Sequence, residues 1–176
     1  MMWRALAWIV SRRPVARWLI ARSKRTPYTP ITSRDGSDVY MTRHWLFNGY
    51  AKDSDDVEAA RWPWLPSIRV HHILRADDDG HMHSHPWDAR TIVLDGWYKE
   101  ERPPAESAWD GILRIVHRRN RGYTGPVTYE MVHRISEVSP GGVYTLWFTW
   151  KYQGTWGFLV DGKIVPWREY LGVPKK

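Results

Sequence analysis

The segment GHMHSHPWD, residues 80–88, places His81, His83 and His85 at every second position. On an extended strand alternate side chains point to one face. Residues two apart lie about 6.5–7 Å from each other along the chain and can converge on one ion, whereas residues four apart lie about twice as far. One metal ion therefore takes two of the three. Gly80 leaves His81 at a turn, and Pro86 biases His85 toward an extended backbone. This selects His83 and His85 as ligands, with His81 as an alternative.

A metal needs a further ligand from a neighbouring strand. In VTYEMVHRI, His133 shares a face with Tyr129, Met131 and Ile135, which points it into the apolar interior. A polar group left unsatisfied there costs roughly 2–7 kcal/mol, and a metal ion would satisfy it. His72 is the rival, because Ile68, Val70 and Leu74 share its face, but a lone interior histidine is more often a hydrogen-bonded core residue. His44 and His117 read as surface or structural residues. Nitrogen ligands suit iron(II), zinc, nickel, copper or manganese, and the expected cofactor is one divalent ion, iron(II) first among them.

Elements able to hold such a site are legible after Thr26. Val39–Phe47 reads as an extended run after a turn at Asp35-Gly36. Residues 51–66, acidic and proline-bearing, read as a loop. In residues 67–75 the alternation puts Ile68, Val70, His72 and Leu74 on one face and Ser67, Arg69, His71 and Arg75 on the other. Asp77-Asp78-Asp79-Gly80 reads as a turn and HMHSH as a strand, followed by the strand TIVLDGWYKE and a Pro-rich loop over 101–110. ILRIVHR, VTYEMVHRISEV and VYTLWFTWK are later strands, and Asp161-Gly162 marks a hairpin. Many short strands between Gly/Pro turns indicate a sandwich or barrel.

The 176 residues suit one domain with a core of its own. The absence of cysteine excludes disulfides, thiolate metal sites and cysteine nucleophiles, and accords with a cytoplasmic setting. No apolar run reaches the ~20 residues of a membrane span. The 13 tryptophans suit a core or pocket of flat rings that would hold a small-molecule ligand. Arg4, Arg12, Arg13, Arg17, Arg22, Lys24 and Arg25 account for the whole formal charge of +7, so the remainder of the chain is neutral.

Residues 1–25 thus form a basic amphipathic arm, with residues 26–176 as the β domain. Trp3, Leu6, Ala7 and Val10 fall on one helical face. Pro14 opens a second helix, with Val15, Trp18, Leu19 and Arg22 at helical spacing. The arm is either packed on the β domain with its arginines in water or contacts a partner protein, another subunit of a homodimer, an anionic membrane surface or nucleic acid. Arg12 and Arg13 interrupt the apolar stretch and argue against a signal peptide. A second basic cluster (Arg114, Arg118, Arg119, Arg121 beside Tyr123) reads as a solvated hairpin.

HSHPWDARTIVLDGWYKE followed by HRI resembles the two metal-binding motifs of the cupin superfamily. His83 and His85 match the first motif's H-x-H pair, Gly96 its glycine, and His133 the second motif's histidine. The wider pattern (TPYTPITSRDGS, HxHPWD, then HRI…TLWFTW…WGF) also looks like small cupin-like proteins of bacteriophages and proteobacteria, which would place the chain in a bacterial cytoplasm. The resemblance implies a mainly β, double-stranded β-helix (jelly roll) with a short N-terminal helical arm. The chain departs from the pattern at the motif's glutamate, where it has Ala89 or Arg90, and at the Pro-x-Gly of the second motif, where Val127 and Thr128 follow Pro126. Three neutral histidines then resemble the thiol-dioxygenase branch. Asp88 would instead restore a two-histidine, one-carboxylate site of the kind that suits iron(II) oxygenases.

Tyr98 and Glu100 share a strand face with Ile92 and Leu94. They are the remaining catalytic candidates, Glu100 as an acid–base group or fourth ligand. Three functions stay open. The first is a mononuclear non-haem iron(II) oxygenase. The second is a metal-independent sugar-epimerase-like cupin using histidine and tyrosine. The third is a non-catalytic accessory or binding module on a cupin scaffold.

Overall fold

The structure is a computed structural model that describes residues 1–33, 36–50, 60–104 and 114–173. Helices α1 (Met2–Val10) and α2 (Arg13–Ser23) precede eleven strands: β1 (Pro27–Thr32), β2 (Val39–Phe47), β3 (Ser67–Ile73), β4 (Trp87–Asp95), β5 (Trp97–Arg102), β6 (Ile115–Asn120), β7 (Thr124–Val127), β8 (Arg134–Val138), β9 (Val143–Tyr152), β10 (Gly157–Val160) and β11 (Lys163–Pro166). A short helix α3 (Trp167–Leu171) follows. Asp35, the acidic part of the 51–66 loop, residues 105–110 and the Ile112-Leu113 start of the ILRIVHR strand lie outside the described residues.

One sheet runs in the order β1-β2-β3-β9-β4-β7 and a second in the order β6-β5-β8, all antiparallel. The chain passes between the sheets at Gly96, whose φ of 78° admits little but glycine. A Cβ there would lie 2.5 Å from Ser139 Oγ and 2.9 Å from the Gly142 carbonyl oxygen. The expected strand TIVLDGWYKE is therefore two strands in two sheets. VTYEMVHRISEV is likewise divided into β7 and β8 by a turn at Thr128–Glu130. Two facing antiparallel sheets linked in this way make a mainly β, jelly-roll-like sandwich, as expected of the fold class.

The larger sheet is covered on both faces. Its outer face carries Val70, Ile92, Leu94, Leu146 and Phe148, and onto these pack Ala7, Val10 and Ala16 with Trp3, Leu6, Leu19 and Ile20 of α1 and α2. The arm is thus packed on the β domain. Trp18, placed by spacing on the inner face of α2, is instead 64% exposed, because Ala16, Leu19, Ile20 and Ser23 form the buried stripe. The inner face looks toward the second sheet, and there β3 departs from the simple alternation. Ser67, Arg69 and His71, the polar face of the alternation, are buried between the sheets. The His72 face lies instead beneath the helices.

The β10–β11 hairpin turns through Asp161 (φ 47°) and Gly162 (φ 74°), as the Asp-Gly pair predicts. It brings Phe158 back beside residue 83.

Candidate metal centre

HMHSH does not form a ladder strand. Its central residue makes isolated bridges on both sides, to Phe158 of β10 and to His133 just ahead of β8. The His83 and His133 backbones exchange both hydrogen bonds (N–O 2.8 and 3.0 Å), so the two histidines sit directly opposite one another. Met82 and Ser84 turn the other way and are buried, Met82 against Val132 and Leu159. This alternation presents His83 and His85 together.

One nitrogen from each of His83, His85 and His133 falls within 4.8 Å of the other two. Ring centroids are 5.0–5.1 Å apart in all three pairs. His85 Nε2 lies 2.8 Å from His133 Nε2, while His133 Nδ1 donates to Glu100 Oε1 at 2.8 Å. With that donor committed to the carboxylate, the two Nε2 atoms are placed to share a proton or a metal ion. Two nitrogens bound at about 2.1 Å and at right angles lie about 3 Å apart, so the spacing fits a shared ion.

The surroundings keep His83 and His85 neutral. Burial drives His83 down to about 4, against the opposing pull of Asp77, whose Oδ2 lies 3.6 Å from His83 Nδ1. Burial, then the neighbouring His133 and His83, hold His85 well below the ordinary histidine range. A neutral imidazole is the form that binds a metal.

Glu100 is 1% exposed. Burial alone would raise its pKa, but His133 and Arg102 outweigh that and hold the carboxyl well below the usual range. Its Oε1 accepts from His133 and from Arg102 (2.8 Å), and its Oε2 accepts from Arg119 (2.8 Å). Glu100 therefore orients the His133 ring. Arg119, expected in a solvated hairpin, reaches inward to it and covers the Tyr123 ring at 4.3 Å.

The other candidates lie elsewhere. Asp88 accepts from the Tyr129 backbone N–H (3.0 Å) and from the Gln153 amide, which ties the start of β4 to the two following turns. His81 Nδ1 pairs with the Tyr170 hydroxyl at 2.9 Å. His72 stacks on Tyr144 and meets the Gly141 carbonyl oxygen at 2.9 Å, a structural role. Tyr98 packs with Met41, Ile73, Val93, Ile135 and Val143, where burial pushes its hydroxyl pKa well up.

Sequence reasoning missed Asp77, which seemed a turn residue. Its carboxylate accepts from the Ile135 N–H at 2.8 Å and stands behind His83. It missed the inward set of β3 as well. His71 stacks on Trp147 (5.4 Å), and Trp147 in turn faces His85 (5.3 Å).

No protein-family model matches the chain, and no curated protein matches it in sequence. Among solved structures, iron(II) HppE in complex with substrate is similar with a TM-score of 0.48 and 15% identity, over 73% of this chain and 58% of that one. KdgF from Halomonas sp. gives 0.42 and 14%, over 64% and 82%. A conserved protein of unknown function from Streptococcus pyogenes gives 0.40 and 17%, over 65% and 76%. The chain spans a little over half the length of HppE.

Proposed function

We propose that the chain is a metal-binding cupin-type protein in which His83, His85 and His133 hold one divalent ion, iron(II) foremost, and that it acts as a mononuclear non-haem oxygenase on a small molecule. The observation that carries this reading is the convergence of three imidazole nitrogens, one of them oriented by a buried carboxylate. Such carboxylate–histidine pairs fix the tautomer and raise the basicity of a ligating ring.

His83, His85 and His133 would hold the ion, and iron(II) bound there would supply redox chemistry with oxygen. The residues of the chain do the rest. Glu100 holds the His133 proton at Nδ1 and leaves Nε2 free to bind. Arg102 and Arg119 keep Glu100 ionised. Trp156 and Phe158 on one side of His83, with Trp147 beside His85, flank the site with aromatic rings. Tyr98, buried in a core cluster, is poorly placed for the proton transfer that a metal-independent epimerase would need.

Anaerobic iron(II) reconstitution followed by an oxygen-uptake screen over thiols, 2-oxo acids and nucleotides tests this. Uptake with one class, abolished in His85→Ala, is the expected result. No uptake with a fully loaded site would leave a non-catalytic binding module on the same scaffold.

A further inference from the structure

Arg69 is 3% exposed, lies between the sheets, and has no carboxylate partner among the described residues. One terminal nitrogen donates to the Tyr50 hydroxyl at 3.0 Å, its guanidinium faces the Trp45 and Trp87 rings at 5.4 and 5.2 Å, and its Nε has no hydrogen-bond partner. Arg43, on the adjacent strand, donates to the Thr29 carbonyl and covers Tyr28, also without an acid. It sits opposite His71 in the β2–β3 register. His71 Nε2 and Trp147 Nε1 are likewise buried without a partner. Two arginines and two further unsatisfied nitrogens therefore share one inner face with no counter-charge among the described residues.

A buried cation without a partner is strongly unfavourable, and chains ordinarily supply an acid to it. Arg69 stands opposite Trp147 in the β3–β9 register, and Trp147 contacts His85. The uncompensated charge is therefore one side chain away from the histidine cluster. Tyr28, Trp45, Tyr50 and Trp87 form a continuous run of ring contacts around it.

We propose that this inner face is an anion subsite, and that the small molecule acted on at the histidine centre is an organic oxyanion, a carboxylate or a phosphonate or phosphate ester. Its head group lies on Arg69, assisted by Arg43 and His71, and its apolar part lies along the tryptophans toward His85. The inference rests on the metal-centre reading for the position of the reacting end, but not for the binding of the anion.

The test titrates phenylphosphonate, benzoate and inorganic phosphate, with benzyl alcohol as neutral control, into the full chain in metal-free and zinc-loaded forms, read by calorimetry and tryptophan fluorescence. The expected result is saturable binding of an organic anion in both forms and none of the alcohol. Arg69→Met should weaken binding roughly ten-fold or more, in line with loss of a charge-assisted hydrogen bond, while retaining its zinc. No saturable anion binding, equal binding of the alcohol, or unchanged binding in Arg69→Met would overturn the proposal. Binding of inorganic phosphate alone would overturn the substrate class. If Arg69→Met does not fold, Arg43→Gln and the wild-type melting temperature decide, since an anion that binds only the folded chain must raise it. Because the metal-free arm needs no ion, failure here and failure of the metal centre are separate results.

A different surface carries a second inference. The inner stripes of α1 and α2 lie on the sheet, yet their outer faces leave Met2, Trp8, Ile9 and Trp18 exposed at 72, 61, 50 and 64%. All seven basic residues of this segment are also exposed, and it contains no acid. Arg12 lies over the Trp8 ring at 3.8 Å, which joins cation and ring on the outer face. We infer that this face docks on an anionic bilayer. Interleaved indoles and arginines suit the boundary between headgroups and acyl chains, whereas a nucleic-acid backbone would use the charge and leave the apolar side chains unpartnered.

Co-sedimentation of the full chain with phosphatidylcholine vesicles, with and without phosphatidylserine, tests it. Binding should require phosphatidylserine, fall with salt, and drop roughly ten-fold in Trp8→Ser/Trp18→Ser, whose positions are exposed enough to spare the fold. No vesicle binding, or binding indifferent to the tryptophan pair, would overturn it. So would preference for single-stranded RNA over the vesicles.

Discussion

Glu100 and His133 meet at 2.8 Å, carboxylate oxygen to Nδ1, and both are buried. β5 thereby supplies the partner of a ring that lies just ahead of the adjacent β8. The ring's other nitrogen is left to face His85. The contact fixes the ring's orientation and leaves its Nε2 available as an acceptor.

Glu100→Gln should therefore weaken zinc binding about 10- to 100-fold, the usual effect of removing the carboxylate behind a ligating histidine. It should also destabilise the metal-free chain by roughly 3–5 kcal/mol, because Arg102 and Arg119 lose their buried counter-charge. Competition with a chelator reads the first effect and urea unfolding the second. Unchanged affinity would remove Glu100 from the account.

Asp88→Ala should leave the metal content unchanged, since its carboxylate is engaged by the Tyr129 N–H and Gln153. Loss of one hydrogen-bonded carboxylate should lower stability by about 1–2 kcal/mol. Loss of the metal instead would establish a two-histidine, one-carboxylate site.

Acid should unfold the metal-free chain earlier than its composition suggests. His83 binds its proton near 6.5 when unfolded but only at about 4 when folded, so stability falls as pH drops from 6.5 to 4. The loss approaches on the order of 3 kcal/mol. Glu100, held low when folded, works in the same direction. Its contribution is present above the unfolded value of about 4.3 and fades as pH falls below it. Urea midpoints at pH 7, 5.5 and 4.5 with a chelator present check the trend. His83→Asn should flatten the upper part.

Gly96→Ala should cost about 2 kcal/mol or more. The substitution adds a Cβ against Ser139 Oγ and the Gly142 carbonyl oxygen at a φ that side chains rarely adopt. A midpoint within error of wild type would mean that the crossover relaxes freely.

The strand inventory and the inward histidines were legible because period-two alternation survives wherever one face is buried. It could not choose the inner face of β3, where both faces are covered and the polar one, with Arg69 and His71, lines the interior. It failed also at Gly96 and at the turn after Val127, where one apolar run serves two sheets. No local pattern separates those from a continuous strand. The roles of Asp77, Arg102 and Arg119 depend on which strands become neighbours, a relation that no spacing within one segment encodes. Trp18 was misplaced because small residues, Ala16 and Ser23, make the closest approach of α2 to the sheet.

The most direct measurement is elemental analysis of the untagged protein after anaerobic iron(II) reconstitution, beside His83→Ala, His85→Ala, His133→Ala and His72→Ala. Wild type and His72→Ala should hold one ion per chain, and each of the other three should lose most of it, because two remaining ligands retain an ion poorly. Wild-type protein without stoichiometric metal, or full retention in the three variants, would contradict a three-histidine centre.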